Sequence, residues 1–304
     1  MPREHEQIAF YKFADLATAR VMVEKRTTRW RTPLQFNDPF DVQTRIRVAI
    51  NETAYVDRFL QRFRELVYVN PVPAFFQAGN DVHEAAMVVR QLDGVNKAAA
   101  VAQFRASLER TAGDLGQHFA KFSDEIAGHL QHGRVFCMAE DVNNVVMWSH
   151  YADNHRGVGF KFRVLDDIDH VFLLARRVTY DHAYLTLTDG EALADHFSKA
   201  KEMDLAALCW QLVYLKHVSW GYEREWRSYE PLLDRPAGAG FDDHVEPTEL
   251  FESVYLGCCM SDDEAGAMVD HVKQHMPKTN VWRARKSATS FDLEFDEIYA
   301  GGRV

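Results

Sequence analysis

Hydrophobic and polar positions follow two periodicities along this chain. Alternation with a period of two is typical of half-buried strands, and a spacing of three to four residues is typical of helices with one packed face. The alternation with a period of two predicts a strand over Ile8–Phe13. The second predicts a helix over Asp15–Lys25, with Asp15 as its N-cap. A loop with two prolines follows from Thr32 to Asp41, and a further strand is predicted over Arg45–Ile50.

A long stretch rich in Ala, Leu, Phe, Arg and Glu interrupts this pattern. Its apolar spacing predicts four helices: Tyr55–Val67, Val82–Leu92, Lys97–Thr111 and Leu115–Leu130. Pro71 and Pro73 separate the first two helices. We interpret residues 51–133 as a helical subdomain. It is inserted between residues 1–50 and residues 134–304, which form the two parts of one α/β core.

Strand patterns return after the helical stretch. The predicted strands are Val135–Met138, Val158–Val164, one or two within Val171–Tyr180, Tyr222–Tyr229, Ser253–Leu256, Val281–Ala284 and Phe291–Ile298. Helices are predicted over Gly190–Lys216 and Asp262–Met276, and a surface loop over Arg235–Gly240. These elements predict an α+β fold with a mixed or antiparallel β core.

Composition narrows the functional classes. The 304 residues carry a formal net charge of −10, so the chain as a whole has no electrostatic reason to coat nucleic acid or an anionic membrane, although a local basic cleft is compatible with this charge. No apolar run approaches the roughly 20 residues needed to span a bilayer, so we expect no membrane association. The four cysteines form no C-x-x-C pair. We expect them to be reduced and buried, in a cytoplasmic protein.

The segment from Tyr222 to Arg227 reads Y-E-R-E-W-R. On a strand, Glu223, Glu225 and Arg227 would share one face, with neighbouring residues on that face about 7 Å apart. Two carboxylates in a cleft can stabilise a glycosyl cation and deprotonate an acceptor, which are separate tasks. The same spacing also fits a surface strand with ordinary ion pairs between neighbouring strands.

Aromatic, histidine and glycine residues crowd the segment before the strand at Val158. Trp148 and Tyr151 lie at i and i+3, so one helical turn would place both on the side where they could stack on a heterocycle. His150, His155 and Arg156 are candidate ligands for phosphate oxygens. The alternative is a short helix packed into the core and followed by a turn. His150 and His155 are five residues apart, which is poor spacing for metal ligands, and we expect no metal.

These segments resemble a family of bacterial proteins known only as a domain of unknown function. The resemblance rests on four motifs in order: Tyr11-Lys12-Phe13, the Phe36-Asn37-Asp38-Pro39-Phe40 loop, the stretch from Met147 to Gly157, and the stretch from Trp220 to Arg227. The Asn and Asp of the loop can bond the backbone, and the loop could also wall a cleft. The motifs span nearly the whole chain except the helical insert.

The order of elements is also distantly similar to that of ADP-ribosyltransferases, which have a late strand bearing a catalytic Glu, often within Glu-x-Glu. This likeness implies NAD as the substrate and Glu225 as the catalytic Glu that favours an oxocarbenium-like transition state. Glu223 would orient or deprotonate the acceptor, and Lys12 would hold the NAD phosphates or the adenosine ribose. The residues assigned to NAD binding are Tyr11, Lys12, Asn37, Trp148, Tyr151, His155, Arg156 and Arg227.

Three functions follow as alternatives. The first is an enzyme that cleaves NAD and transfers ADP-ribose to a protein or nucleic acid, as a toxin or a phage-defence effector. The second is a sensor that binds a nucleotide in the same cleft without turnover. The third is a nuclease dependent on Mg²⁺ that uses Asp38, Asp41, Glu223 and Glu225.

Overall fold

The computed structural model describes residues 3–232 and 240–302. The loop predicted over Arg235–Gly240 therefore lies outside the described residues, apart from Gly240. The elements in chain order are β1 (Ala9–Ala14), α1 (Leu16–Lys25), β2 (Thr27–Arg31), β3 (Arg47–Val48), α2 (Glu52–Tyr68), α3 (Asp81–Arg90), α4 (Gly94–Ala112), α5 (Leu115–His132), β4 (Arg134–Ala139), α6 (Val145–Tyr151), β5 (Val158–Arg163), β6 (Arg176–Arg177), β7 (Thr179–Asp181), β8 (Thr186–Leu187), α7 (Gly190–Phe197), α8 (Leu205–Val213), β9 (Leu215–His217), β10 (Glu225–Glu230), β11 (Phe241–Val245), β12 (Phe251–Leu256), α9 (Asp262–His275), β13 (Asn280–Lys286) and β14 (Leu293–Tyr299). Short 3-10 helices cover Pro33–Gln35, Val171–Leu174, Val218–Glu223 and Thr248–Leu250.

The chain divides into two compact units. The first comprises Met1–Gln43, His129–His182 and Val213–Val304, and the second comprises Thr44–Gly128 and Ala183–Leu212. The second unit therefore includes a segment, Ala183–Leu212, that the sequence pattern had placed with the C-terminal part of the core.

A mixed sheet organises the first unit. Its strands run in the order β11-β2-β4-β1-β5-β12-β13-β14, and β10 pairs with β4 and β6. All pairs are antiparallel except β12 with β13, which are parallel and are joined through α9. Phe10 on β1, Phe160 and Phe162 on β5 and Phe251 on β12 are buried in one core. Phe13 lies on the opposite face of β1 and packs in a separate hydrophobic cluster that includes Trp148. An α+β fold with a mixed sheet is confirmed.

Helices dominate the second unit. Tyr55, Phe59 and Phe63 recur at helical spacing along α2 and are all buried, together with Leu193 and Ala194 of α7. All four helices predicted over this stretch form. Three extend the predicted range by one to three residues at one or both ends, and α3 begins one residue and ends two residues before its predicted bounds. The predicted strand over Arg45–Ile50 shrinks to β3, a two-residue strand parallel to β8.

The single helix predicted over Gly190–Lys216 is wrong. The chain forms α7, then α8, and then turns into strand β9, which pairs with β7. Lys199 ends the first helix with a φ of 57°, a left-handed conformation that an α-helix cannot continue through. Apolar spacing continues on both sides of this break, so periodicity alone could not detect it. The consequence for the site is that Lys216 lies on a strand.

Smaller differences concern strands and cysteines. Strand β2 was not predicted, because its sequence, Thr-Thr-Arg-Trp-Arg, has little alternation. All four cysteines are free, as expected, but the expectation of burial is wrong: Cys259 is exposed and the other three are half-buried. Among the described residues, we find no helix with the length and apolarity to cross a membrane.

A double ion pair in the second unit provides a test of its stability. Asp195 on α7 accepts hydrogen bonds from Arg58 and Arg62 on α2, with both carboxylate oxygens engaged at 2.8–3.3 Å. These bonds lower the pKa of Asp195 from 3.8 to about 2, and the bond from Arg58 contributes most to the shift. We expect Asp195→Asn to lower the free energy of unfolding by about 1.5–3 kcal/mol, the range for hydrogen bonds to charged groups, in urea titrations at pH 7.

The pH dependence follows from the lowered pKa. A carboxylate with a lowered folded pKa stabilises the fold fully above its ordinary pKa, and that contribution is lost as the pH falls from about 4 towards 2. Asp195→Asn should abolish this loss of stability between about pH 4 and pH 2. Asp57→Asn is the matched control, because Asp57 pairs with Arg105 at an exposed position, where ion pairs contribute about 0–1 kcal/mol. Equal effects of the two substitutions would contradict a special role for Asp195.

Candidate functional site

The sheet of the first unit opens beside β4. One edge of β4 pairs with β10 along six residues, but on its other side β4 pairs with β2 only at Val135 and with β1 only at Ala139. A cavity of about 380 Å³ lies at this opening and is bordered by β1, β2 and β4. Its volume falls within the range of roughly 300–1,000 Å³ that is usual for small-molecule sites.

Six of the ten site residues predicted from the sequence line this cavity. They are Tyr11, Lys12, Asn37, Tyr151, Glu223 and Glu225. They come from β1, from the loop before β3, from the last residue of α6 and from the segment before and at the start of β10. The opening in the sheet is therefore the place where most of the predicted site residues meet.

Lys12 crosses the opening from β1 to β4. Its ammonium donates to the carbonyl oxygen of Cys137 at 2.7 Å and lies 5.0 Å from the centre of the Phe136 ring. Burial lowers the pKa of Lys12, because a low-dielectric environment disfavours the charged form. Lys12 thus ties the two strands together across the opening, with one of its three N–H donors committed to the backbone of β4.

Lys216 holds together the floor of the cavity. Its Nζ lies 2.5 Å from Glu223 Oε2, 3.0 Å from Glu225 Oε2 and 3.4 Å from Asp41 Oδ2. All four side chains are at least 95% buried. Three carboxylates therefore converge on one ammonium group.

Arg227 closes the network from behind the cavity. It is fully buried, and its guanidinium donates to Glu225 Oε1 at 2.7 Å, to Asp41 Oδ2 at 2.6 Å and to the carbonyl oxygen of Val213 at 2.7 Å. Glu225 and Arg227 lie two residues apart on the same face of β10, as the sequence pattern predicted. Arg227 does not reach the cavity, so it positions the carboxylates and does not itself face a ligand.

Glu223 reaches this floor by a different route from the one predicted. It is the last residue of the 3-10 helix Val218–Glu223, and Arg224 follows with a φ of 45° before β10 begins at Glu225. The prediction of one strand over Tyr222–Tyr229 is therefore wrong at its start. The left-handed turn at Arg224 and the bridge through Lys216 bring the two carboxylates together, in place of strand alternation.

The network shifts the pKa values of its members in opposite directions. Burial and the neighbouring Glu225 carboxylate raise the pKa of Glu223. Burial also disfavours ionised Glu225, but Arg227 and Lys216 outweigh it and lower the pKa of this carboxyl below its usual range. Burial likewise opposes the charge on Lys216, yet Glu225 and Asp41 raise its pKa above the ordinary value. Glu225 is thus held ionised, and Glu223 is the carboxyl that titrates more readily.

Two tyrosine hydroxyls complete the floor. Tyr151 donates to Glu223 Oε1 at 2.6 Å, and burial together with the Glu223 carboxylate raises the pKa of this phenol. The hydroxyl of Tyr180 accepts from the backbone N–H of Glu225 at 2.8 Å. Each Glu is therefore held on two sides, and Tyr151 keeps its proton over the physiological pH range.

The structure does not bring Trp148, His155 or Arg156 to the cavity. Trp148 is fully buried, donates to the carbonyl oxygen of Val142 at 2.6 Å and packs edge-on against Phe13. His155 stacks on Trp148, and Arg156 is exposed and pairs with Asp153. The prediction that Trp148 and Tyr151 share one side is wrong, because this short helix directs Trp148 into the core and Tyr151 to the cavity.

Sequence reasoning missed Lys216 and underrated Asp41. The signal for Lys216 was present, because it is a lone charge that closes the apolar run Leu212-Val213-Tyr214-Leu215. Its assignment to a helix concealed its partners. Asp38, by contrast, has the local role expected of it, since its carboxylate accepts from the backbone N–H of Phe40 at 2.9 Å. Among the described residues, no group of three or more His, Cys, Asp or Glu side chains is arranged to hold a metal ion.

Removing the central ammonium should destabilise the fold. With Lys216 the floor has three anions and two cations, and Lys216→Met leaves three anions against Arg227 alone. We expect the free energy of unfolding to fall by about 3–5 kcal/mol, the usual cost of removing one partner from a buried ion pair. Urea unfolding at pH 7 would measure the loss.

The control for this substitution is Lys278→Met at an exposed position, which should change stability by less than about 0.5 kcal/mol. Adding Glu225→Gln to Lys216→Met should restore part of the loss, since it removes one of the uncompensated anions. Strict additivity of the two substitutions would show that Lys216 and Glu225 are not coupled.

Comparison with known proteins gives one match. Residues 147–228 match the model of a family described as protein of unknown function (DUF2971). No curated protein and no solved structure matches the chain. The matched segment includes Tyr151, Lys216, Glu223 and Glu225, whereas the first two sequence motifs lie before it. The match supports the predicted resemblance to a domain-of-unknown-function family over residues 147–228.

Proposed function

We propose that this chain is an ADP-ribosyltransferase-like enzyme that cleaves NAD at the bond between nicotinamide and ribose. The observation that carries the proposal is the charge of the cavity floor. Asp41, Glu223 and Glu225 face Lys216 and Arg227, so three carboxylates meet two cations. The floor has an excess of one negative charge when all five groups are ionised.

An excess of negative charge suits this reaction. The nicotinamide ring of NAD⁺ is cationic, and the ribose develops positive charge as the glycosidic bond breaks. Fixed carboxylates in a site with little water stabilise such a charge more strongly than water does, because they need no reorganisation. The two carboxylates whose pKa values are pushed in opposite directions also provide separate groups for charge stabilisation and for proton transfer.

In this reaction the bond from ribose C1′ to the nicotinamide nitrogen breaks, and nicotinamide leaves with the electron pair. The acceptor then bonds to C1′ and loses a proton. Glu225, held ionised by Arg227 and Lys216, supplies the fixed negative charge. Glu223 takes the proton, because it borders this cavity and also a second cavity of about 220 Å³ with Asp141, Arg224 and Phe291, from which an acceptor can approach.

The place of the elements also supports the proposal. The opening strand with Lys12 and the late strand with Glu225 are both neighbours of β4, and Ala139 pairs with Tyr11 on one side and Glu225 on the other. The likeness to ADP-ribosyltransferases concerns the order of these elements along the chain, with the basic residue on the first strand and the catalytic Glu on a late strand. The acceptor, a protein or a nucleic acid, and a role as a toxin or phage-defence effector belong to the same proposal.

One observation favours a second candidate, a nucleotide sensor without turnover. Both carboxylate oxygens of Glu225 already accept hydrogen bonds from Arg227 or Lys216 at 2.7–3.0 Å. A ribose hydroxyl would compete with these donors. The same two cations disfavour the nuclease alternative, because Lys216 and Arg227 occupy the space between the carboxylates where Mg²⁺ would bind.

Release of nicotinamide from NAD by the purified protein tests the proposal, with and without cell lysate as a source of acceptor. We expect Glu225→Gln to reduce release by about 100-fold or more, the loss typical of one transition-state-stabilising group. Folding should survive, because two anions then balance two cations. The matched control is Glu249→Gln at an exposed position, which should retain full activity.

No release by the wild-type protein, even with lysate, would contradict the enzyme proposal. Nucleotide binding that persists in Glu225→Gln would then favour the sensor. Release that is unaffected by Glu225→Gln would remove Glu225 from the mechanism.

The proton-accepting role of Glu223 predicts the acid limb of the pH profile. Only the ionised form accepts a proton, so activity rises with pH through the pKa of Glu223, which lies above its ordinary value of 4.5. We expect kcat/KM for NAD in the transfer reaction to fall as the pH is lowered. The midpoint of this fall should lie above pH 4.5. Glu223→Gln should lower transfer to the acceptor and abolish this limb. A variant with the wild-type pH profile would exclude Glu223 as the base.

A further inference from the structure

The two ends of the main cavity differ in charge. Arg31, the last residue of β2, lines the cavity and pairs with Val135, whereas Glu225 pairs with Ala139 on the same strand β4. These register positions are about 13 Å apart along β4, at roughly 3.3 Å per residue. The cavity thus runs from a cationic side chain at one end to the carboxylate floor at the other.

Arg31 is the uncommitted cation of this end. It is exposed, and its guanidinium has no hydrogen-bond or ion-pair partner among residues 3–232 and 240–302. Arg29, two residues earlier, donates to both carboxylate oxygens of Asp243, at 2.7 and 2.8 Å. Lys12 donates to the carbonyl oxygen of Cys137. Arg31 lies close enough to Lys12 to contribute to lowering the pKa of that ammonium, after burial.

The carboxylates at this end are already engaged. Asp243 is held by Arg29, and Asp15 caps α1 by accepting from the backbone N–H and the hydroxyl of Thr18 at 2.7 and 2.8 Å. Because the N-cap carboxylate occupies the start of α1, this helix end is not an open anion site. Arg31 is therefore the available cationic side chain for an anion at this end of the cavity.

We propose that Arg31 binds the diphosphate of the nucleotide, in place of Lys12, to which the sequence likeness assigned that role. This inference rests on the proposed function, since it concerns the same cavity. A guanidinium group binds phosphate oxygens through two parallel hydrogen bonds, whereas the ammonium of Lys12 is a point charge with one of its three donors committed to Cys137. A ligand with phosphates at one end and a cationic pyridinium at the other matches the charge polarity of the cavity.

The experiment compares binding of ADP and adenosine by calorimetry in low salt, without any turnover. We expect the wild-type protein to prefer ADP, and Arg31→Gln to weaken ADP binding by about 10- to 100-fold while adenosine binding is unchanged. Arg31→Lys, which keeps the charge and loses the two-pronged geometry, should fall between them. Arg20→Gln, at an exposed position on α1, is the matched control and should bind ADP as the wild type does.

Three results would overturn the inference. They are no preference of the wild type for ADP, ADP binding that is unaffected by Arg31→Gln, and equal weakening of ADP and adenosine, which would indicate a structural role. Failure of the proposed catalysis is distinguishable: ADP binding that depends on Arg31 with no nicotinamide release would support this site and favour the nucleotide sensor.

Discussion

The ion network around Lys216 is the interaction on which the site depends. Burying five charged groups has a large desolvation cost, and it is offset only if each charge finds a close partner of opposite sign. Lys216 lies within 3.4 Å of Asp41, Glu223 and Glu225, and Arg227 holds two of these carboxylates from behind. The network joins the loop before β3, strand β9 and the start of β10, so the geometry of the floor and the stability of these segments are linked.

The opening in the sheet gives this network access to a ligand. If β1 and β2 paired with β4 along its full length, the backbone would fill the space that the cavity occupies. Each instead makes a single pair with β4, and Lys12 spans the opening. The result is a cavity whose floor is fixed by charge pairing and whose other end carries Arg31. A floor fixed by charge pairing and a cation without a partner among the described residues are the features expected where a charged ligand completes the electrostatics.

Much of the fold was predictable, because it follows from local patterns. The helices of the second unit formed where apolar residues recur at helical spacing, and Asp15 caps α1 as its sequence position indicates. Prediction failed where tertiary contacts override local signals. The helix predicted over Gly190–Lys216 is broken by a left-handed residue, and Trp148 turned into the core although it lies three residues from the cavity-facing Tyr151.

The sequence by itself determined the α+β class, the helical character of the insert and the candidate residues at the cavity, since six of the ten predicted residues line it. These depend on periodicity and residue type, which are local properties. The tertiary structure decided which carboxylate is held ionised, that Lys216 is the central cation, and that Lys12 is engaged while Arg31 is not. Such properties depend on burial and on partners distant in sequence: Asp41 and Arg227 are 186 positions apart, and their side chains are hydrogen-bonded at 2.6 Å.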